Sequence, residues 1–438
     1  MSHIYDLIGI GFGPSNIALA IALEEMDVDL DFLFLEKSAN RKWQEGMLLD
    51  GSDIQNNPLR DLVTPRNPRS HYTFINYLKE VGRFFEYLNL GIHYPLRKEY
   101  ALYISWVTEQ FSESVKYSTQ VTHVDMVAGK EGQKLWQIQT SAGEEYLCRS
   151  LIVGPGRTPN IPAEFKPHIG SSIFHLTEYI QKIESFNLQE DTTVAVIGAS
   201  QSAVEILLDL MNRTSTAQIC SIHRSFGFRL KDTSPFSDHV YFPEFIDYYY
   251  SLSRDSKQQI AVQLNNTNYS SADGDVINQL YLRLYEEKLD GKNRFRFINN
   301  TRTEEITKAD KGWNLLTQEI HTKAFRQVQA DVVILATGFL DFGVGHKGEK
   351  FPPLLERVKN ALPVDEFGVI QVERDYAVKL VGEDALPHLY LNGLCESTHG
   401  LGDAGSFSLV SLRSMEIAKS AVHNLTKSEE VKERLYQM

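Results

Sequence analysis

A chain of 438 residues, 42% apolar and 23% charged, is long enough for two or three domains with substantial cores. Its formal net charge of −13 opposes binding to nucleic acid or to an anionic membrane surface, since both need clustered Lys and Arg. No stretch approaches the roughly 20 apolar residues of a membrane span, and the N-terminus lacks the basic start of a signal peptide. The cysteines Cys148, Cys220 and Cys395 form no CxxC pair, so a cytoplasmic protein without a sequence-adjacent redox dithiol is expected.

In chain order, the apolar run 5–8 leads into Gly9-Ile-Gly11-Phe-Gly13-Pro14-Ser15-Asn16 and then a helical stretch over 17–23. A glycine turn at a strand-to-helix junction lets backbone N–H groups and the helix N-terminus approach a pyrophosphate. Residues 31–35 read as the next strand, and Glu36 at its end is placed to accept from a ribose hydroxyl. Aromatic-rich helices follow, then a hairpin with strands near 120–127 and 135–140 joined by the turn 129–132. Residues 150–156 predict a buried strand running into a glycine turn, and 157–162 a crossing linker kept extended by its prolines.

A strand over 193–197 opens a second nucleotide-binding unit, followed by Gly198-Ala-Ser200-Gln201-Ser202. Ser200 replaces a usual glycine but is small enough for the same backbone approach. The next strand, 217–222, is followed by Arg224, a cation where a binder of a ribose 2′-hydroxyl would carry Asp or Glu. A 2′-phosphate needs such a cation, so NADPH is the expected cofactor. Helices are predicted over 244–252 and 275–288, strands over 331–335 and 389–392, and a C-terminal helix over 404–425, before a charged, exposed tail. Two nucleotide turns in one chain point to an enzyme passing electrons between two nucleotide cofactors.

The segment Ala336-Thr337-Gly338-Phe339 resembles the point where two-dinucleotide flavoproteins return to the flavin domain, and Val153-Gly-Pro-Gly156 resembles its partner at the first crossing. Together they imply that the second unit is inserted into the first. Further motifs are Trp43-Gln-Glu-Gly46-Met-Leu-Leu49, Gln55, the stretch 59–68 containing Arg60, and 72–78. Asp232-Thr-Ser-Pro-Phe236, Thr267-Asn268-Tyr269-Ser270 and Thr398-His-Gly-Leu-Gly-Asp403 complete the series. In this order, across residues 5 to about 420, they resemble the N-hydroxylating flavin monooxygenases, which act on the side-chain amine of ornithine or lysine, or on small amines, in siderophore assembly.

The resemblance implies an α/β fold with two dinucleotide-binding (Rossmann-like) domains, FAD and NADPH as cofactors, and O₂ and a small-molecule amine as reactants. Residues 1–160 and 331–438 would form the FAD domain, and 161–330 the NADPH domain, with a helical substrate segment near 240–290. Gly11, Gly13, Pro14, Asn16, Glu36, Trp43, Thr337, Gly338 and Asp403 would serve the cofactors on the flavin side, and Gly198, Ser200, Gln201, Ser202 and Arg224 the NADPH. Gln55 would lie by the flavin ring and nicotinamide, and with Asn268 is the expected catalytic pair. Arg60, Asp238, Asn268 and Ser408 would contact substrate. Without the resemblance these four read as a helix-surface Arg, a capping Asp, a turn Asn and a helix-face Ser. A homo-oligomer stays open.

Three departures fall at the substrate end: Arg60 where the family commonly has Lys, Asp238 where it has Asn, and a segment 404–408 one residue longer than usual. A carboxylate docking beside Asp238 would be repelled. The expectation is therefore a decarboxylated amine such as histamine, putrescine or cadaverine, with ornithine or lysine as the alternative. A disulfide reductase of the same plan would need a redox cysteine pair. A Baeyer–Villiger-type enzyme would need a Gly–His spacing that Gly170 and His175 miss by one residue. A non-catalytic flavin scaffold has no sequence feature in its favour.

Overall fold

The computed structural model describes residues 3–129, 132–382 and 386–426. Strand β1 (Ile4–Ile10) passes through the glycine turn into α1 (Pro14–Glu25), and the chain returns as β2 (Phe32–Leu35). α1 is apolar on all sides, with Asn16–Leu23 buried, because it is enclosed between the first sheet and the C-terminal helix. Helices α2 (Phe74–Glu80), α3 (Phe84–Leu90) and α4 (Arg97–Gln110) follow, then the short β3 (Val115–Lys116) and strands β4 (Val121–Ala128), β5 (Lys134–Thr140) and β6 (Glu145–Val153). β4 and β5 pair antiparallel, forming the expected hairpin, and the central residues of its turn lie outside the described residues.

The second sheet comprises β7 (Ile173–His175), β8 (Thr193–Ile197), β9 (Gln218–Ile222), β10 (Phe295–Ile298) and β14 (Val332–Leu335), in the order β10-β9-β8-β14-β7 and parallel throughout. Short α5 (Tyr179–Ile183) precedes β8, and α6 (Gln201–Arg213) follows it with an apolar face on the sheet. The other face is covered by an antiparallel sheet that the sequence reading lacked: β11 (Thr301–Lys308), β12 (Trp313–Glu319) and β13 (Phe325–Ala330). Between β9 and β10 lie α7 (Pro243–Ser251), α8 (Arg254–Asn268) and α9 (Gly274–Leu289). α8 falls inside the helical segment expected near 240–290, but its own bounds are not marked in the sequence, because it is polar and buries only Thr267.

The strand 331–335, assigned from sequence to the flavin domain, instead pairs with β8 and β7 in the second sheet. The second crossing thus begins at Ala336. It passes through two-residue strands β15 (Asp341–Phe342) and β16 (Gly348–Glu349) to β17 (His388–Leu391), which joins the first sheet beside β6. That sheet runs β3-β2-β1-β6-β5-β4 with β17 on β6. α10 (Glu396–His399) and α11 (Val410–Leu425) close the domain, and the expected exposed tail lies outside the described residues.

The two crossings run together. Asn160 N–H donates to Gly338 O at 2.9 Å, its Nδ2 to Thr337 O at 3.1 Å, and Leu340 N–H to Thr158 O at 2.8 Å. Thr337 Oγ1 returns a 2.5 Å bond to Asn160 O.

Candidate active site

The first glycine turn is packed from behind. Gly11 sits at φ +83°, and a Cβ there would stand 2.6 Å from Gly154 O at the end of β6. Gly13, ahead of Pro14 at the start of α1, differs: a Cβ on it would meet nothing within 4 Å. That open space over a helix N-terminus is the cradle a pyrophosphate needs, so the turn fits FAD. Glu36 lies at the end of β2 as expected, its carboxylate accepting from Phe12 N–H at 2.7 Å and Ser38 N–H at 2.8 Å. Each oxygen retains accepting capacity for a ribose hydroxyl.

Asn16 and Asp403 are engaged inside the protein. Asn16 Nδ2 donates to Ile10 O and Gly11 O, and its Oδ1 accepts from Asn392. Asn392 accepts from Arg413, which reaches Ser15 Oγ and pairs with Asp403; Asp403 also accepts from Cys395 N–H at 2.8 Å. This buried chain of polar groups holds the turn from the far side of the chain.

The second turn opens on a cleft of about 1490 Å³ lined by Gly198, Ser200, Arg224, Arg229, Thr337 and Lys347 among others. Ser200 is the N-cap of α6 and makes no side-chain cap bond; the Gln201 N–H is taken by Ser271 O at 2.9 Å, so it is the Ser202 end of the first turn that faces an incoming anion. Arg224 follows β9 and lines the cleft as expected. Lys347, unforeseen, comes from the returning chain. Burial, then Arg224 and Arg157, hold its amine below the ordinary value. Arg224 and Lys347 together in one cleft fit a phosphorylated nucleotide. His175, from the rival motif, is a buried staple to Gly338 O at 2.9 Å, kept neutral by burial with a pKa down to about 4.

At the substrate end, Arg60 Nη1 donates to Ser408 Oγ at 3.3 Å, and the guanidinium lies over the Tyr241 ring at 5.8 Å. Asp238 stands on the turn Ser237–Tyr241. It raises the pKa of the Tyr241 phenol, second to burial, while Arg60 lowers it. Arg60 and Asp238 therefore share one neighbourhood, yet the guanidinium is directed to Ser408. Asn268 ends α8; a Cβ on Gly405 would stand 3.1 Å from its Nδ2, so it meets the 404–408 segment that carries Ser408. Trp43 packs edge-on against Phe407, ring centroids 5.3 Å apart.

Two networks were missed by sequence reading. In the cleft wall, Tyr269 donates to Glu396 at 2.5 Å, while Arg157 bonds Tyr269 at 2.8 Å and Asp341 at 2.9 Å. Burial pushes the Glu396 carboxyl up to about 8 despite Arg157. The second network joins Gln55 to Asp273, and Arg97 to Glu205. An Asp just ahead of a helical pattern is the one local signal at Asp273; nothing in the sequence points to its partner 218 residues away.

A family model described as L-lysine 6-monooxygenase/L-ornithine 5-monooxygenase matches residues 3–341. An L-ornithine N(5)-monooxygenase of Pseudomonas aeruginosa is 34% identical, with 96% of this chain and 94% of the relative covered. One of Burkholderia cepacia is 36% identical, covering 91% and 90%. Among solved structures, the ornithine N-hydroxylase of Kutzneria sp. 744 with reduced FAD, NADP⁺ and L-ornithine superposes with a TM-score of 0.87 at 29% identity, covering 97% of this chain and 100% of that one. No helix among the described residues is long and apolar enough to cross a membrane. With a glycine turn at a strand-to-helix junction in each of two dinucleotide-binding units and these likenesses spanning the chain, the protein belongs to the lysine/ornithine N-monooxygenase family and is an FAD- and NADPH-dependent N-hydroxylating flavoenzyme.

Proposed function

We propose that the protein hydroxylates the side-chain amine of L-ornithine with O₂, for assembly of a siderophore. The observation that carries this reading is the unpaired neighbourhood of Arg60 and Asp238. A guanidinium turned to a serine is free to receive an α-carboxylate, and a carboxylate nearby can receive an α-ammonium. A zwitterionic amino acid matches both. The expectation of a decarboxylated amine assumed that Asp238 would repel the carboxylate or that Arg60 would be closed off by it. The three relatives named above are ornithine enzymes, which supports the same reading, while a putrescine N-hydroxylase stands further off at 27% identity.

Bound FAD, reduced by NADPH, supplies the chemistry that splits O₂ between product and water. The chain's own residues do the rest. Arg60, Ser408 and Asp238 anchor the amino-acid head; Asn268, where α8 meets the 404–408 segment, orients the side-chain amine. A primary amine with pKa about 10.4 is only on the order of a thousandth neutral near pH 7.5. A poorly solvated pocket lowers that pKa and raises the nucleophilic fraction, so no general base is assigned.

A small diamine or histamine is the second reading, favoured by the negative charge of Asp238 at a position where the family has Asn. Quantifying hydroxylated product for ornithine, lysine, putrescine, cadaverine and histamine separates the two. Ornithine is expected to be the best substrate, and Asp238→Asn to weaken its binding by removing the partner of the α-ammonium. Inert ornithine beside an active amine, with Asp238→Asn shifting activity toward amino acids, would overturn the first reading in favour of the second.

A further inference from the structure

We propose that Asp273 is a positioning residue that fixes the Gln55 side chain with its amide oxygen turned away from the carboxylate and ties it to the NADPH-binding turn. This rests on the reading that Gln55 serves the reaction between nicotinamide and flavin.

Asp273 has the position and backbone of a helix cap: it is the N-cap of α9 at φ −66°, ψ 146°, yet its side chain makes no cap hydrogen bond. The carboxylate instead accepts from Gln55 Nε2, 218 residues earlier in the chain. An aspartate that only terminated a helix would bond the exposed N–H groups of its own first turn. A carboxylate only accepts, so the Gln55 amide must present its N–H to Asp273 and turn its oxygen the other way. An acceptor held in one fixed orientation is what a carboxamide N–H or a ring N–H of a reduced cofactor needs. Gln55 is also held at φ +52°, a region that a glutamine seldom adopts. Asp53 Oδ1 fixes it there by accepting its N–H at 2.8 Å.

The same residues continue into the second domain. Asp273 N–H donates to Gln201 Oε1 at 2.8 Å, and Gln201, the first residue of α6 after the glycine turn, donates to Glu205 at 3.0 Å. Glu205 is gripped by Arg97 through two 3.0 Å bonds, and Arg97 reaches back to Asp53 O at 3.1 Å. The circuit therefore closes on the loop that carries Gln55. Carboxylates crowd this seam: burial first, then Asp273, Glu205 and Asp275, push the Asp53 pKa up to about 6.

The test is the anaerobic rate of flavin reduction by NADPH in Asp273→Asn, Asp273→Ala, Gln55→Ala and the Asp273→Ala/Gln55→Ala double variant. No amine is present, so the outcome is independent of the product assay above. Loss of one charge-assisted bond corresponds to about 10- to 150-fold. Each single variant is expected to lose at least about tenfold in rate with flavin content and NADPH KM kept, Asp273→Asn least, because its amide can still accept. The double variant should be no slower than Gln55→Ala, as for two residues acting through one another. Wild-type rates in any Ala variant, multiplying effects in the double, or a loss that only follows lost flavin would overturn the proposal.

Discussion

The two glycine turns begin alike and end differently. In each, one glycine is pressed onto the end of a neighbouring strand: a Cβ at Gly11 would stand 2.6 Å from Gly154 O, and one at Gly198, at φ +142°, would collide with Ala336 O. Behind the first turn lies the buried chain Asn16–Asn392–Arg413–Asp403, all in the interior. Around the second is an open cleft lined by Arg224 and Lys347. A turn backed by interior polar groups suits a group that stays bound; an open, cationic one suits a nucleotide that enters and leaves at every turnover.

The sharpest way to break this comparison is at Gly13. Its Cβ position is empty, so Gly13→Val should fold while its side chain occupies the place of the pyrophosphate. The expected outcome is protein with the secondary structure of the wild type and essentially no flavin absorbance after purification. Wild-type flavin content would remove the first site from this turn.

A smaller effect is expected in the open cleft. Arg224→Ala should raise the KM for NADPH by about 10- to 150-fold, the value of a charge-assisted phosphate contact, with little change for NADH. Steady-state kinetics with both nucleotides checks it, and an equal change for the two would move the 2′-phosphate elsewhere.

The smallest lies between the turns, at Glu396. Its folded pKa, about 8, is above the ordinary 4.5, so between those values the folded state binds more protons than the unfolded one. The stability from this group is complete below about pH 4.5 and is lost as pH rises through 8. Glu396→Gln should flatten the fall in Tm between pH 6 and 9 by on the order of a few degrees. Parallel Tm curves would show that the carboxyl is ionised in the fold.

Much of the fold was legible because it is local. The turn at Gly9–Gly13, its strand and helix, and Arg224 after β9 each depend on residues within a few positions. The assignment of 331–335 failed because a buried apolar strand carries no mark of which sheet it joins, and its pairing with β8 spans 138 residues. α8 lies inside the helical segment expected near 240–290, but its polar face left its bounds unmarked. At the site, residue types at Arg60, Asp238 and Gln55 could be read from motifs, but the direction of the Arg60 guanidinium and the diversion of Asp273 from its helix are products of packing.

The ribbon formed where Thr158–Asn160 lies against Thr337–Leu340 makes the two connections mechanically one. Two independent linkers would let the inserted domain twist freely; a hydrogen-bonded pair resists torsion and in-plane bending and flexes chiefly out of its own plane. Anyone grafting this NADPH domain onto another flavoprotein would have to carry both strands of the joint, because lengthening either by one residue shifts their pairing and unhinges the other.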